Sequence, residues 1–174
     1  MPATVKGGVE LRKALKAFAP DLGKELPKEI ASALKPIVKA ARGYLPDDSQ
    51  VLSGWLPRPN TQSRFPAYTA KLAKSGIGYK TTPSKPNRRG FRSLARVFNK
   101  TAAGAIYETM GRKTPNSSFV QNQNAKYGAP MKGDGKMEGR ALYRAYEENQ
   151  GRAREAVLKA IQLAGNKLNE RAKV

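Results

Sequence analysis

Residues 76–99 read Gly-Ile-Gly-Tyr-Lys-Thr-Thr-Pro-Ser-Lys-Pro-Asn-Arg-Arg-Gly-Phe-Arg-Ser-Leu-Ala-Arg-Val-Phe-Asn. The two ends of this stretch alternate. Gly76 to Thr82 sets Ile77 and Tyr79 on one face; Phe91 to Asn99 sets Arg96 and Phe98 on one face and Val97 on the other. Period-two patterning bounded by turn residues is the signature of paired strands. Between them, Pro83 to Gly90 supplies two prolines, a glycine and three cations. That segment is too long for a two-residue turn and too polar for a core element. A hairpin with a long basic loop is therefore expected mid-chain.

Both flanks are helical in pattern. Leu11, Leu15 and Phe18 recur at helical spacing, and Pro20 interrupts them. Asp21 is a candidate N-cap for a second segment that places Leu26, Ile30, Leu34, Ile37 and Ala41 on one face. Pro27 suits a first turn, whereas Pro36 is expected to kink or divide the helix. At the other end, Gly139 to Arg171 carries Tyr143, Tyr146, Gln150, Ala153, Val157, Ile161, Ala164 and Leu168 at intervals of three or four. This predicts an amphipathic helix of roughly eight turns. Its narrow, Ala-rich stripe suits packing on another helix or a sheet, or pairing with a neighbouring subunit, for which Tyr143, Tyr146, Val157 and Ile161 are the candidate packing residues. The expected fold class is α+β: N-terminal helices and a long C-terminal helix on a small antiparallel sheet.

The rest is less patterned. Tyr44 to Asn60 is broken by Pro46, Pro57 and Pro59 and reads as a turn and a short extended piece. Tyr68 to Lys74 fits a helical turn or two, or a strand. Thr101 to Gly111 is rich in small residues that permit close packing. Thr114 to Gly139 is polar and Gly-rich and reads as a flexible loop. The expectation is a single domain, 1–174. It comprises an N-terminal helical segment (1–43), a basic β-rich segment (44–113), a flexible polar loop (114–138) and the last helix (139–174).

Composition narrows the function. The chain has 174 residues, 33 Lys+Arg against 13 Asp+Glu, a net charge of +20, no His and no Cys. Thiolate and imidazole metal sites, disulfides and Ser-His-Asp catalysis are excluded. No cofactor, metal or enzymatic activity is expected. No apolar run is long enough for a membrane span, and Met1 to Pro20 has no secretory apolar core.

The charge is uneven. Residues 1–43 carry 9 basic and 4 acidic side chains, 44–138 carry 16 and 5, and 139–174 carry 8 and 4, for nets of +5, +11 and +4. From Gln50 to Tyr107 there is no acid at all. Lys85, Arg88, Arg89, Arg92, Arg96 and Lys100 are the candidate contacts with a polyanion, either nucleic acid or an acidic protein neighbour.

Other motifs reduce to structure. Gly76-Ile77-Gly78 and Gly133-Asp134-Gly135-Lys136 lack the spacing of phosphate loops. Asp47-Asp48 and Glu147-Glu148 are neighbours whose side chains diverge, so neither converges on one ion. Trp55, Phe65, Tyr68, Tyr79, Phe91 and Phe98 interleave with the basic zone, and core roles are favoured over base stacking. Glu108 is the one acid between Asp48 and Asp134. It is expected in a structural ion pair with Arg112 at i+4, or with Arg96.

Three blocks together resemble a phage family. The first is Ala33-Leu34-Lys35-Pro36-Ile37-Val38-Lys39-Ala40-Ala41-Arg42, with Leu45-Pro46 and Leu52-Ser53-Gly54-Trp55 following. The second is Ala103-Gly104-Ala105-Ile106-Tyr107-Glu108 with Gly111-Arg112, and the third is Gly139-Arg140-Ala141-Leu142-Tyr143-Arg144-Ala145-Tyr146-Glu147. They are similar to the tail-completion, or neck, proteins of long-tailed phages, relatives of minor tail protein Z. The resemblance implies an α+β subunit of a homo-oligomeric, often hexameric ring at the head–tail junction of a virion. Its partners would be head-connector, tail-terminator or tail-tube proteins, with possible contact to DNA or the tape-measure protein, and no membrane. A terminator or stopper of the same neck is the near alternative. A stand-alone basic nucleic-acid-binding protein is the alternative of a different class.

Overall fold

The computed structural model describes residues 7–59, 66–132 and 138–172, without the side chains of Phe18, Ser53 and Ala172. Phe65 and the Gly133 to Lys136 motif lie outside the described residues. The fold is α+β: the described residues form helices α1 (Gly8–Phe18), α2 (Pro20–Gly43), α3 (Ala70–Gly76), α4 (Ala102–Thr109), α5 (Ser118–Tyr127) and α6 (Leu142–Ala172) with four short strands. Strands β1 (Ile77–Lys80) and β2 (Arg96–Asn99) form one two-stranded sheet. Strands β3 (Met131–Lys132) and β4 (Glu138–Gly139) form a second, antiparallel, with Met131 opposite Gly139.

The chain divides into two compact units, each assembled from separated segments. One comprises Met1–Pro36, Tyr79–Val97 and Asn149–Val174. Its core is the apolar face of α2, where Leu22, Leu26 and Ile30 are buried beside Leu15 of α1. Burying such a side chain is worth about 1.5–3 kcal/mol. Ala153, Ala160 and Ala164 of α6 complete it. Gly23 brings α2 against α1; a Cβ there would lie 3.3 Å from the Cα of Lys16. Exposed ion pairs join α6 to α2: Lys167 with Glu25 at 3.2 Å, and Arg171 with Asp21 through its two terminal guanidinium nitrogens, at 2.7 and 2.8 Å. The Arg171 guanidinium holds the Asp21 carboxyl down at about 2. Solvent screens pairs of this kind, so packing rather than charge holds the helices together.

The other unit comprises Ile37–Gly78 and Phe98–Glu148. Its core holds Ile37, Ala41, Trp55, Tyr68, Ile77, Tyr107 and Val120. The expectation of core aromatics holds for Trp55 and Tyr68. Their rings meet at 5.0 Å, Trp55 donates its indole N–H to the Pro66 carbonyl at 3.0 Å, and the Tyr68 hydroxyl donates to the Pro46 carbonyl at 2.7 Å. Asp47 pairs with Lys74, and Asp48 accepts the Ala70 N–H at 2.6 Å at the start of α3. Each of these adjacent acids thus fixes a different part of the turn, as their divergence required.

Several local expectations change. Helix α2 runs undivided from Pro20 to Gly43 with Pro27 and Pro36 inside it. The second strand is limited to Arg96–Asn99, because Phe91 to Ala95 belongs to the loop. The segment 44–113 is not β-rich: α3 and α4 flank two four-residue strands. The segment 114–138, read as a flexible loop, contains α5 and β3. Ser117 caps α5 by accepting the Val120 N–H at 3.4 Å, and Val120 and Gln123 turn inward. So few apolar residues point in that the helical period is invisible in the sequence.

The candidate basic hairpin

The hairpin belongs to the first unit from Tyr79 to Val97. Its base is tied to α1 by Arg12, which donates to the Thr81 carbonyl. Leu94 and Ile161 lie beside Gly8, where a Cβ would sit 3.1 and 3.8 Å from their methyl groups. The chain is then kept paired by serines instead of a regular strand ladder. Ser84 N–H donates to the Ser93 carbonyl, and Ser93 N–H donates to the Ser84 hydroxyl, each at 2.9 Å.

Asn87 builds the tip. Its side-chain oxygen accepts the N–H groups of Arg89 and Phe91, both at 2.9 Å. Its backbone donates to the Phe91 carbonyl and accepts from Gly90 N–H, again at 2.9 Å each. Gly90 adopts φ +73, a left-handed conformation suited to glycine. Asn at the first and Gly at the fourth position of Asn87-Arg88-Arg89-Gly90 is the residue preference of a common β-turn. That signal was present in the sequence, and the organising roles of Asn87 and Ser84 were missed.

Lys85, Arg88, Arg89, Arg92 and Arg96 are all exposed on this segment. Arg92 is steadied by its Nε, which donates to the Ser84 carbonyl at 3.0 Å. Lys100, the sixth candidate, belongs to the other unit, where its ammonium lies 5.2 Å from the centre of the Phe98 ring. Among the described residues none of these six cations has a carboxylate within ion-pair distance. Phe91, 37% exposed, is the one large apolar side chain offered at the tip.

The expected Glu108–Arg112 ion pair is not formed, nor is a pair with Arg96. Helix α4 ends at Thr109, and Gly111 turns left-handed at φ +93, so Arg112 leaves the helix before i,i+4 geometry applies. Arg112 donates instead to the Glu138 carbonyl. Glu108 accepts the N–H groups of Ala141, Leu142 and Tyr143 at 2.8, 2.9 and 2.8 Å. A carboxylate from α4 thus caps α6, with the helix dipole in its favour. Nearby, Arg140 is 5% exposed and donates to the Gly128 carbonyl and the Asn124 side chain. Burial works against its charge, and Tyr107 and Glu108 work for it.

The packing residues proposed on α6 divide. Tyr143 is buried, with 8% of its surface exposed. Tyr146, Val157 and Ile161 are half-buried, and Ile161 faces Gly8 of its own chain. An open groove of about 470 Å³ between α2 and α6 is lined by Glu29, Ser32, Pro36, Arg152, Lys159 and Leu163, among others. Its charges are mixed, which sets it apart from the acid-free hairpin. Among the described residues no group of three or more acids is placed to hold a metal ion, and no helix is long and apolar enough to cross a membrane. No protein-family model, no curated protein and no solved structure matches this chain.

Proposed function

We propose that the chain is a structural protein of a phage head-to-tail junction, a tail-completion or neck subunit. It assembles as a ring, most simply a hexamer, that joins the head connector to the tail tube around the DNA channel. It has no catalytic role. The observation that carries the reading is the contact between two of the three family-like blocks. Glu108, which ends the Ala103 to Glu108 block, caps the helix opened by the Gly139 to Glu147 block. Residues that look like a family signature thereby act as one joint. The exposed, acid-free hairpin supports the same reading, because a subunit beside packaged DNA needs a cationic or weakly adhesive surface.

Cryo-electron microscopy of particles that carry this chain tests the proposal. Density for it in a ring between head and tail is the expected result. Particles with the chain elsewhere, or a deletion phage that still joins heads to tails, overturn the reading.

A further inference from the structure

We propose that the hairpin tip from Lys85 to Arg92 binds the phosphodiester backbone of double-stranded DNA without reading its sequence. The inference rests on the neck reading only for the source of the duplex.

Three observations converge on that ligand. The first is unspent charge. Lys85, Arg88, Arg89 and Arg92 project from an exposed segment, and among the described residues no carboxylate lies within ion-pair distance of any of them. Elsewhere Lys74, Arg144, Lys167 and Arg171 each hold a carboxylate, and the acids that balance the remaining cations lie outside the stretch from Gln50 to Tyr107. The second is order. Asn87, Gly90 and the Ser84–Ser93 bonds fix the backbone that carries the cations, and Arg92 is braced on Ser84. Binding then costs the ordering of a few side chains and not of the loop.

The third is the chemistry of the surface. Guanidinium forks match phosphate oxygens, and three of the four tip cations are arginine. An acidic protein would also answer the charge. Protein interfaces, however, set their arginines around a desolvated core of aromatic and other apolar side chains. Here Phe91 alone is offered, and it is only partly exposed. A polar, strongly positive contact is typical of nucleic-acid interfaces. Asn87 has the amide that would pair with a base edge, but its oxygen is committed to Arg89 and Phe91 N–H. Contacts therefore go to phosphates, which position without specifying sequence.

The test is fluorescence anisotropy of the full-length purified chain with a short mixed-sequence duplex over a range of salt. The log–log slope should be about −0.9 per phosphate neutralised, and R88Q/R89Q should reduce its magnitude by about 1.8. That variant should bind on the order of fiftyfold more weakly near 0.1 M salt. K24Q/K28Q, which removes two exposed charges from α2, should leave the slope unchanged. N87A should weaken binding while keeping the slope, since it loosens the tip without changing its charge. Circular dichroism establishes that each variant is folded. Affinity indifferent to R88Q/R89Q overturns the inference. So does preferential binding of polyglutamate over the duplex, which would assign the tip to an acidic protein. Either failure leaves the neck reading intact, because that reading stands or falls on where the chain lies in the particle.

Discussion

Oε1 of Glu108 accepts the backbone N–H of Tyr143 at 2.8 Å, while Oε2 takes the two preceding N–H groups. Three donors that the first turn of α6 would otherwise leave unsatisfied are met by one carboxylate. Hydrogen bonds to a charged group in a partly buried site are among the stronger ones. Glu108→Ala should therefore cost about 2–3 kcal/mol, more than an ordinary exposed cap. Glu108→Gln keeps one acceptor oxygen but turns an NH2 group towards backbone donors, and should cost about 1–2 kcal/mol. Urea unfolding midpoints of the two variants check the order.

Gly139 makes that cap possible. A Cβ at Gly139 would sit 2.0 Å from Glu108 Oε1 and 2.7 Å from the Cβ of Tyr143. Gly139→Ala should destabilise by about 1–3 kcal/mol through overpacking and by displacing the carboxylate. If displacement is part of the cause, Glu108→Ala and Gly139→Ala together should cost less than their sum. Strict additivity in a double-mutant cycle would mean that the methyl group acts without moving Glu108.

These relationships mark where the sequence stops being readable. Helices α1, α2 and α6 were legible because Leu15, Leu26, Ile30 and Ala153 recur on buried faces at the helical period. The hairpin was legible from Ile77, Tyr79 and Phe98. Helix α5 was not, since its stability comes from a serine cap and two inward residues, one of them glutamine. The spacing of Glu108 and Arg112 suggested a pair because i,i+4 is a helical rule, and the helix ends between them. The true partner of Glu108 lies 33–35 residues away, a separation that no local pattern encodes. At the candidate site the cations were readable from composition, whereas the rigid tip depends on hydrogen bonds from Asn87 and Ser84.

Gln123 offers a stability test of a different kind. Its side chain is fully buried, and neither atom of its amide reaches a hydrogen-bonding partner among the described residues. A buried polar group without a partner is a net cost. Gln123→Met keeps most of the volume and removes the amide, so it should stabilise the protein by about 1 kcal/mol. Gln123→Ala empties the space and should destabilise it. Thermal unfolding of both variants checks the prediction, and a lower melting temperature for Gln123→Met contradicts it.

The tip of the hairpin should be rigid because of a side chain and not because of strand pairing. Asn87→Ala deletes the acceptor for Arg89 and Phe91 N–H while leaving every cation in place. Hydrogen exchange at those two amides should accelerate markedly, with global stability lowered by no more than about 1 kcal/mol. Unchanged protection at Arg89 and Phe91 would show that Asn87 does not hold the turn.

Alkaline conditions should weaken the fold through its buried phenols. Burial raises the Tyr107 hydroxyl from 10.0 to about 12, and burial likewise pushes Tyr68 up. The folded chain therefore keeps these protons at a pH where the unfolded chain releases them. The stabilisation is fully present below the unfolded value of 10.0 and is lost as pH rises through the folded value of about 12. Stability should fall progressively across that window. Tyr107→Phe has no proton to lose, so its stability should fall less steeply there, with little change near neutral pH. Tyr68→Phe should also flatten the alkaline fall. It should in addition cost about 1 kcal/mol near neutral pH, because the buried Pro46 carbonyl loses its donor. Urea titrations at stepped pH separate the two variants. An alkaline fall identical in Tyr107→Phe and the parent would show that Tyr107 burial is not its source.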